Sequence, residues 1–352
     1  MSDKVAVVIL GAGKGTRMKS RMPKVLHKIG TRSMIEEVIS TAKELNPEKI
    51  VVVVGFGADQ VRQVLPGDVV SVEQTSQLGT GHAMLTALPE LEDFDGHIIT
   101  LYGDVPLLSA GTIQELIKKH IKTEAAVTIL TAILEDPTGY GRVIRNGDGT
   151  FFRIVEQKDA SAAERRVKEI NSGVYCFSSE VLKTYLPQLT PQNKQGEYYL
   201  TDVLGLASKD GLKVEMVVAK DPVEITGVND RVSLAMLTKI KNQRKLNKLM
   251  LSGVTIVDPD NTYIDDSVEI AMDASVLPGT ICIGECKIES GAVVGPYTTL
   301  VDCSVQDGAV VERSELKGVV VKSKAEIGPF VHVKPGMDLA ALGLADKIEF
   351  KD

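Results

Sequence analysis

The 352-residue sequence contains no tryptophan, and aromatic residues make up only 4% of it. So few aromatic side chains argue against a stacking surface for single-stranded nucleic acid. Positive charge is also in the minority, because 40 Lys and Arg face 47 Asp and Glu, which leaves a net charge of −7. This acidic balance argues against a general binder of nucleic acid or of anionic membranes.

Cysteines and long apolar runs are scarce as well. The four cysteines are Cys176, Cys282, Cys286 and Cys303, too few for a disulfide framework in a chain of this size. Near the N-terminus the longest apolar run is VAVVIL (5–10), which is shorter than the core of a signal peptide or a membrane span. We therefore expect a cytoplasmic protein that does not enter a membrane.

Short β-branched runs alternate with helix-like segments up to about residue 228. The runs are VAVVIL (5–10), KIVVVVG (49–55), HIITLYGD (97–104), AAVTILTAIL (125–134) and KVEMVVA (213–219). Helical patterns lie between them, for example at 34–45 and 111–122. Continuous apolar strands separated by helices predict an α/β domain over residues 1–228, with a Rossmann-like, mainly parallel sheet covered on both faces. Ligands bind beyond the carboxyl ends of the strands in such sheets.

The remainder of the chain changes its period twice. Residues 229–251 have apolar side chains at helical spacing with Lys and Arg between them, which predicts a linker helix. Within 252–352 apolar residues then recur every six positions, and small or β-branched residues follow the first six of them four positions later. The six-step residues are Ile264, Ile270, Val276, Cys282, Ile288, Val294 and Leu300.

A six-residue step is a signature of the β-helix. This segment resembles the left-handed β-helix of hexapeptide-repeat proteins, and we predict a short one of about four turns; ordinary antiparallel strands are the alternative. The pattern slips after Leu300 and returns weakly at Val321, Ile327 and Val333.

The stretch LGAGKGTRM (10–18) follows the first strand and opens a strongly cationic segment. Between Asp3 and Glu36 there are eight Lys and Arg residues and no acidic one. A dinucleotide fingerprint would place the third glycine elsewhere, and a P-loop would require Gly-Lys-Ser/Thr in this frame. A third interpretation is a glycine turn whose backbone N–H groups cradle oxyanions while a cationic rim neutralises several phosphates, as a triphosphate requires. A plain structural loop is the alternative, which the unbalanced positive charge makes weaker.

LGAGKGTRMKSRMPKVLHKIG (10–30) is similar to the G-x-G-T-R-M…P-K signature of sugar-1-phosphate nucleotidyltransferases. Its PKVLH portion resembles the uridylyltransferase half of the bifunctional N-acetylglucosamine-1-phosphate uridyltransferase/glucosamine-1-phosphate acetyltransferase family. Further motifs of that family follow in order: QTSQLGTGHA (74–83), LYGDVPLL (101–108), PTGYGRVI (137–144), IVEQKDA (154–160), EINSGVY (169–175) and GVND (227–230).

The resemblance implies that the chain forms UDP-N-acetylglucosamine and pyrophosphate from UTP and N-acetylglucosamine 1-phosphate, with Mg²⁺. It assigns catalysis to Arg17 and Lys24, and the metal to Asp104 and Asn229. The implied nucleotide-binding residues are Leu10, Gly11, Ala12, Gly13, Lys24, Gln74, Gly79 and Thr80. The implied sugar-binding residues are Tyr102, Gly103, Gly141, Glu156 and Asn171.

Some of these residues have alternative interpretations. Asp104 could be a turn residue or a helix cap, and Asn229 could cap the linker helix. His27 and His82 have no partner at metal-ligand spacing, so we interpret both as structural. A catalytically silent scaffold or sensor of the same fold, or an enzyme for another sugar 1-phosphate, is the alternative function.

Bifunctional relatives carry an acetyltransferase site that depends on a histidine and on further coils. Here AEIGPFVHVKPG (325–336) matches the family, whereas MDLAALGLADKIEFKD (337–352) departs from the repeat. We therefore expect a truncated form without acetyltransferase activity, in which this tail caps the β-helix. Assembly as a homotrimer through the β-helix is also expected.

Overall fold

The computed structural model describes residues 4–351, which divide into two compact units. The first contains the residues up to Lys28 and Arg32–Leu234, and the second contains Ile29–Thr31 and the residues from Ala235 onward. The helix expected at 229–251 spans Arg231–Leu251, so the boundary between the units falls within it. Among the described residues, none of the helices has the length and apolar character needed to cross a membrane.

The five strands and the two helices that the sequence predicts before the linker helix lie close to their predicted bounds, and the structure adds further short elements. The α-helices within residues 4–351 are Met34–Lys43 (α1), Ala58–Arg62 (α2), Thr80–Ala87 (α3), Ala110–Thr123 (α4), Ser179–Tyr185 (α5), Asp202–Lys209 (α6) and Arg231–Leu251 (α7). The strands before α7 are Val5–Leu10 (β1), Lys28–Ile29 (β2), Arg32–Ser33 (β3), Lys49–Val54 (β4), Val70–Glu73 (β5), His97–Tyr102 (β6), Val127–Ile133 (β7), Arg142–Arg145 (β8), Phe151–Val155 (β9), Glu169–Ser178 (β10) and Val214–Val218 (β11).

The first unit is built on one mixed sheet with the strand order β11-β7-β10-β6-β1-β4-β5. All neighbours in this row are parallel except β10, which runs antiparallel to both β6 and β7. The hairpin β8–β9 attaches to β10. The mainly parallel sheet is therefore confirmed, and β10 is a strand that the apolar-run pattern missed because its first half contains Asn171, Ser172 and Gly173.

Both faces of this sheet are covered, as predicted. Alternate residues of β1 enter different cores: Val8 packs in the cluster that includes Met84 of α3. Ile9 packs in the cluster that includes Ile35 of α1 and Leu116 of α4. Burial on both sides fixes the strand's register and leaves its carboxyl end as the position from which the glycine turn departs.

The second unit contains three sheets of five strands each, against about four turns expected, and these form the left-handed β-helix. Their strands are parallel except for the last strand of one sheet. One face consists of Thr255–Ile256 (β12), Ser275–Val276 (β15), Val293–Val294 (β18), Val310–Val311 (β21) and Glu326–Ile327 (β24). The next consists of Tyr263–Ile264 (β13), Ile281–Ile283 (β16), Thr299–Val301 (β19), Glu315–Lys317 (β22) and His332–Val333 (β25). The last consists of Glu269–Ile270 (β14), Lys287–Ile288 (β17), Ser304–Val305 (β20), Val319–Val321 (β23) and Ile348–Phe350 (β26).

The slip in the six-residue pattern does not end the β-helix; some of the turns between its strands are one residue shorter. After Leu300 the buried interior positions continue at Val305, Val311, Leu316 and Val321, in steps of five or six. The tail then supplies β26, which pairs antiparallel with β23 and places Ile348 in the interior at 1% exposure. The tail thus covers the edge of one face, which a repeat stack requires at its end.

A buried histidine in the first unit makes a stability prediction possible. His120 faces the sheet from α4, its Nδ1 lies 3.0 Å from the Thr128 Oγ1, and its ring contacts that of His97 edge-on. Burial, and secondarily His97, lowers the pKa of His120 to about 4. Between about pH 6.5 and pH 4, the unfolded chain therefore binds a proton at His120 that the folded state does not bind.

We expect the neutral His120 to leave the free energy of unfolding of the wild type undiminished above pH 6.5. As the pH falls to 4, that free energy should decrease by about 2–3 kcal/mol because of this residue. His120→Leu removes the titrating group, so its unfolding free energy depends less on pH over that interval. Urea unfolding at pH 7.5 and 4.5 measures this, with the exposed His332→Leu as the matched control. Equal pH dependence of His120→Leu and wild type would show that His120 is not the group responsible.

Candidate functional site

A pocket of about 370 Å³ lies at the carboxyl ends of β1 and β6 in the first unit. Its lining residues are Leu10, Gly11, Ala12, Gly13, Gly15, Thr16, Arg17, Lys24, Val25, Gln74, Gln77, Gly79, Thr80, Ala83, Tyr102, Asp104, Glu197 and Asn229. Every residue expected to bind nucleotide, to catalyse or to hold a metal is among them. These residues come from segments far apart in sequence, so the fold creates the pocket.

The glycine turn is fixed by close backbone approaches. The Gly11 N–H donates to the Val53 carbonyl at 2.9 Å, which ties the turn to the neighbouring strand. A Cβ at Gly13 would meet no described atom within 4 Å, so the backbone there is open. At Gly15 the backbone is left-handed (φ 58°), and a Cβ would lie 2.5 Å from the Lys24 Cβ. Glycine at position 15 therefore allows the Lys24 side chain to pass close to the turn.

Two cations and two side-chain oxygen atoms meet at one end of the pocket. The Lys24 Nζ forms an ion pair with the Asp104 Oδ2 and donates to the Asn229 Oδ1 at 3.0 Å. The Arg17 guanidinium donates to the same Asn229 oxygen at 2.8 Å. The Lys24 and Asp104 side chains are only 12% and 23% exposed, so their charges interact with less screening than surface charges do.

Backbone hydrogen bonds hold Asp104 and Asn229 beside each other. The Gly103 N–H donates to the Leu10 carbonyl at 3.0 Å, and the Asp104 carbonyl accepts from the Val228 N–H at 2.8 Å. The first bond places the segment after β6 beside the glycine turn. The second bond holds the residues just before α7 at the same point.

The structure excludes the helix-cap alternative for these two residues, while Asp104 does stand in the turn that follows β6. Asp230 caps α7, because its Oδ1 accepts from the Ser233 N–H at 2.8 Å. Ser109 caps α4 by accepting from the Thr112 N–H at 3.2 Å. Neither cap is one of the two residues in question, and the Asn229 side chain points to the pocket instead.

These oxygen atoms fit a hard divalent cation. Mg²⁺ in proteins takes one or two side-chain oxygens and completes its shell with phosphate and water. The Asp104 carboxylate and the Asn229 amide oxygen already converge on a single positive centre, the Lys24 ammonium. The donor types and their convergence suit Mg²⁺.

At the other end of the pocket, Gln74 is 3% exposed and its amide nitrogen has two polar partners. Its Nε2 donates to the Gly79 carbonyl at 3.1 Å and lies 2.9 Å from the His82 Nδ1. Gly79 has φ 109°, and a Cβ there would lie 2.6 Å from the Tyr198 carbonyl oxygen. The Thr80 hydroxyl accepts from the Leu200 N–H at 3.1 Å, which secures the start of α3.

The residues expected to bind sugar form a neighbouring group. The Gly141 carbonyl accepts from the Asn171 N–H at 2.9 Å, and a Cβ at Gly141 would lie 3.0 Å from a Glu156 oxygen. The Asn171 Oδ1 is occupied by the Gly173 N–H at 2.8 Å and the Tyr175 hydroxyl at 2.9 Å. Three of the five expected residues thus lie together.

Of the other two, Tyr102 lines the pocket whereas Gly103 packs beneath it. A Cβ at Gly103 would lie 2.9 Å from the Ile35 Cδ1, so this glycine permits close packing against α1. Burial, and then the charges of Glu156 and Asp104, raise the pKa of Tyr102, so its hydroxyl stays protonated at neutral pH. Burial also raises the pKa of Glu156.

Sequence reasoning missed several pocket residues. Gln77 stands inside the QTSQLGTGHA motif, and its Nε2 donates to the Gln74 carbonyl at 3.0 Å, so the motif could have suggested it. Gly15 was considered only as a misplaced glycine of a fingerprint. Glu197 comes from a loop with no pattern that would have indicated it. His82, interpreted as structural, does not line the pocket but contacts the buried Gln74.

Comparison with known proteins gives two findings. Residues 7–149 match the family described as the MobA-like NTP transferase domain. The chain is also 42% identical over 345 residues to the bifunctional protein GlmU of Carboxydothermus hydrogenoformans, covering 98% of this chain and 77% of the relative. It is 43% identical over 351 residues to GlmU of Brevibacillus brevis (99% and 76%), and 47% over 342 residues to GlmU of Kineococcus radiotolerans (96% and 70%).

Proposed function

The chain belongs to the family of bifunctional GlmU proteins, and from this premise we propose that it is an Mg²⁺-dependent uridylyltransferase that joins UTP and N-acetylglucosamine 1-phosphate. Its products are UDP-N-acetylglucosamine and pyrophosphate. The family and its NTP transferase domain establish a sugar-phosphate nucleotidyltransferase. The choice of base, sugar and metal is the proposal.

The reaction places a heavy electrostatic demand on the pocket. A phosphate oxygen of the sugar 1-phosphate forms a bond to the α-phosphorus of UTP. The bond from that phosphorus to the oxygen bridging to the β-phosphate breaks, and pyrophosphate leaves. The attacking oxygen is already an anion, so no general base is required, and the barrier lies in bringing two polyanions together.

The chain's own cations answer this demand. Arg17 presents a planar fork suited to the β- and γ-phosphates that leave. Lys24 is a mobile point charge that would stabilise the reacting α-phosphate. Mg²⁺ held by Asp104 and Asn229 would supply further positive charge to the phosphate oxygens. Gln74, Gly79 and the backbone of residues 10–13 would hold the nucleoside part, and Gly141, Glu156 and Asn171 the sugar.

The observation that carries the proposal is the meeting of Arg17, Lys24, Asp104 and Asn229. Asn229 contacts residues 205 and 212 positions earlier in the chain, through its single side-chain oxygen. A silent scaffold or sensor would have no need for two cations and two metal-type ligands at one point of a pocket. The enzyme interpretation therefore has the stronger support.

A coupled pyrophosphate assay over a matrix of nucleotides and sugar 1-phosphates tests the proposal. We expect release only with UTP, N-acetylglucosamine 1-phosphate and a divalent metal together, and none after chelation with EDTA. Turnover with another pair would reassign the substrates. No release with any pair at micromolar enzyme would support the silent alternative.

Gly15→Ala should reduce this activity without preventing folding. The new Cβ would overlap the Lys24 stem and force a left-handed alanine, so we expect about a tenfold loss of kcat/KM and about 1 kcal/mol of stability. Steady-state kinetics and thermal unfolding measure the two effects. Gly147→Ala is the matched control, because a Cβ there would meet no described atom within 4 Å. Unchanged kinetics for Gly15→Ala would show that the turn does not constrain Lys24.

We also propose that the protein is cytoplasmic and forms a homotrimer through the β-helix, as the resemblance implies. Sedimentation equilibrium measures the assembly state, and a monomer at micromolar concentration would contradict this assignment. The expectation that acetyl transfer is absent is tested by following release of coenzyme A thiol from acetyl-CoA with glucosamine 1-phosphate.

A further inference from the structure

The buried Gln74 amide has an orientation that the structure determines. A backbone carbonyl can only accept hydrogen bonds, so the group that lies 3.1 Å from the Gly79 oxygen has to be the amide nitrogen. The same nitrogen lies 2.9 Å from the His82 Nδ1. Both amide hydrogens are therefore directed to the start of α3, and the Oε1 is left as an acceptor for the pocket that Gln74 lines.

This arrangement also determines the state of His82. Since the Gln74 Nε2 donates, the His82 Nδ1 must carry a lone pair, with the ring proton on Nε2. A proton on Nδ1 would face another donor. The neutral ring is thus the form that is compatible with both bonds of the amide.

The two partners of the amide are fixed on the same element. The Gly79 carbonyl also accepts from the Ala83 N–H at 3.1 Å, and the His82 carbonyl accepts from the Thr86 hydroxyl at 2.9 Å. The Gln74 N–H in turn donates to the Val54 carbonyl at 2.8 Å. The amide is therefore clamped between the end of β4 and the first turn of α3.

We propose that His82 is a positioning residue that holds the Gln74 amide with its oxygen toward the pocket, and thereby makes the site select a uracil-type imide over a cytosine-type ring. A uracil N3–H can donate to that oxygen, whereas the cytosine N3 offers a lone pair and leaves both acceptors unpaired. This inference rests on the proposed function, because it concerns the base of the nucleotide substrate. It assigns a specificity role to a residue that the sequence suggested to be structural.

The test compares UTP and CTP as substrates of the full chain, with N-acetylglucosamine 1-phosphate as acceptor. His82→Leu keeps a similar volume and removes the acceptor, while His82→Asn retains an oxygen near the position of Nδ1. We expect His82→Leu to lower kcat/KM for UTP about tenfold, mainly through KM, and to leave CTP nearly unchanged, as loss of one oriented hydrogen bond predicts. His82→Asn should recover most of the UTP/CTP ratio. His332→Asn, in the second unit, is the matched control.

A double-mutant cycle isolates the positioning effect. In a Gln74→Ala background there is no amide to orient, so His82→Leu should change the UTP/CTP ratio by less than about twofold. An equal loss for UTP and CTP, or an unchanged ratio in His82→Leu, would overturn the inference. Absence of UTP turnover in the wild type would instead refute the proposed function, so the two failures are distinguishable.

Discussion

Replacing Lys24 by alanine should lower kcat about 10³-fold while the protein remains folded, because charge stabilisation at a reacting phosphate typically supplies that much. Its Nζ is the atom on which the Asp104 carboxylate and the Asn229 amide oxygen converge. Under the proposed mechanism, removal of the ammonium would deprive the α-phosphate of a positive charge acting at short range in a largely buried site. The measurement is steady-state pyrophosphate release, with circular dichroism to verify folding.

Two further variants sharpen this prediction. Arg21→Ala removes a cation from the same segment whose side chain is exposed and does not line the pocket, so its kcat should stay within about twofold of the wild type, as for most surface substitutions. Lys24→Arg retains the positive charge but replaces the compact ammonium by a larger, planar guanidinium, and we expect only partial activity. If Arg21→Ala lost as much as Lys24→Ala, the effect would come from the general cationic field and not from Lys24.

Asp104→Asn should give the second largest loss, about 10²–10³-fold in kcat/KM, together with a requirement for more Mg²⁺. The substitution preserves size but removes the negative charge that would hold the metal and that pairs with Lys24 in the structure. Titration of activity with Mg²⁺ separates the two roles. A rise in the Mg²⁺ concentration at half-maximal rate identifies the ligand, whereas an unchanged midpoint with reduced kcat would assign Asp104 to the ion pair alone.

The matched control is Asp93→Asn, an exposed carboxylate of the same unit, before β6. It should leave both the rate and the Mg²⁺ midpoint unchanged. Asn229→Ala should raise the midpoint less than Asp104→Asn, because an amide oxygen carries only a partial charge. The opposite order would show that Asn229 is the main ligand.

The sequence predicted those parts of the fold that depend on local periodicity. Apolar runs such as 49–55 became strands of the sheet, and the residues six apart became the interior of the β-helix, because burial acts on each of them directly. The slip after Leu300 and a capping tail were visible in the sequence, but the shortened corners and the antiparallel pairing of β26 were not, since they depend on how one coil packs on the previous coil. Strand β10 escaped notice for a similar reason: its polar residues are paired with distant strands.

In the candidate site, too, the sequence indicated individual residues but not the contacts between distant segments. Motif resemblance identified Arg17, Lys24, Asp104 and Asn229, but their meeting depends on hydrogen bonds between segments that are distant in sequence. The sequence left open whether Asn229 caps the linker helix; in the structure the adjacent Asp230 forms the cap, and Asn229 lines the pocket. Glu197 could not be predicted, because only the folded loop brings it to the pocket.

The most direct test of the account is a crystal structure of the protein with UTP and Mg²⁺. We expect the triphosphate against Arg17 and the glycine turn, the metal on the oxygens of Asp104 and Asn229, and the Lys24 ammonium in contact with phosphate. A triphosphate bound elsewhere, with Lys24 still paired to Asp104, would contradict the central claim that this cluster brings the two phosphates together.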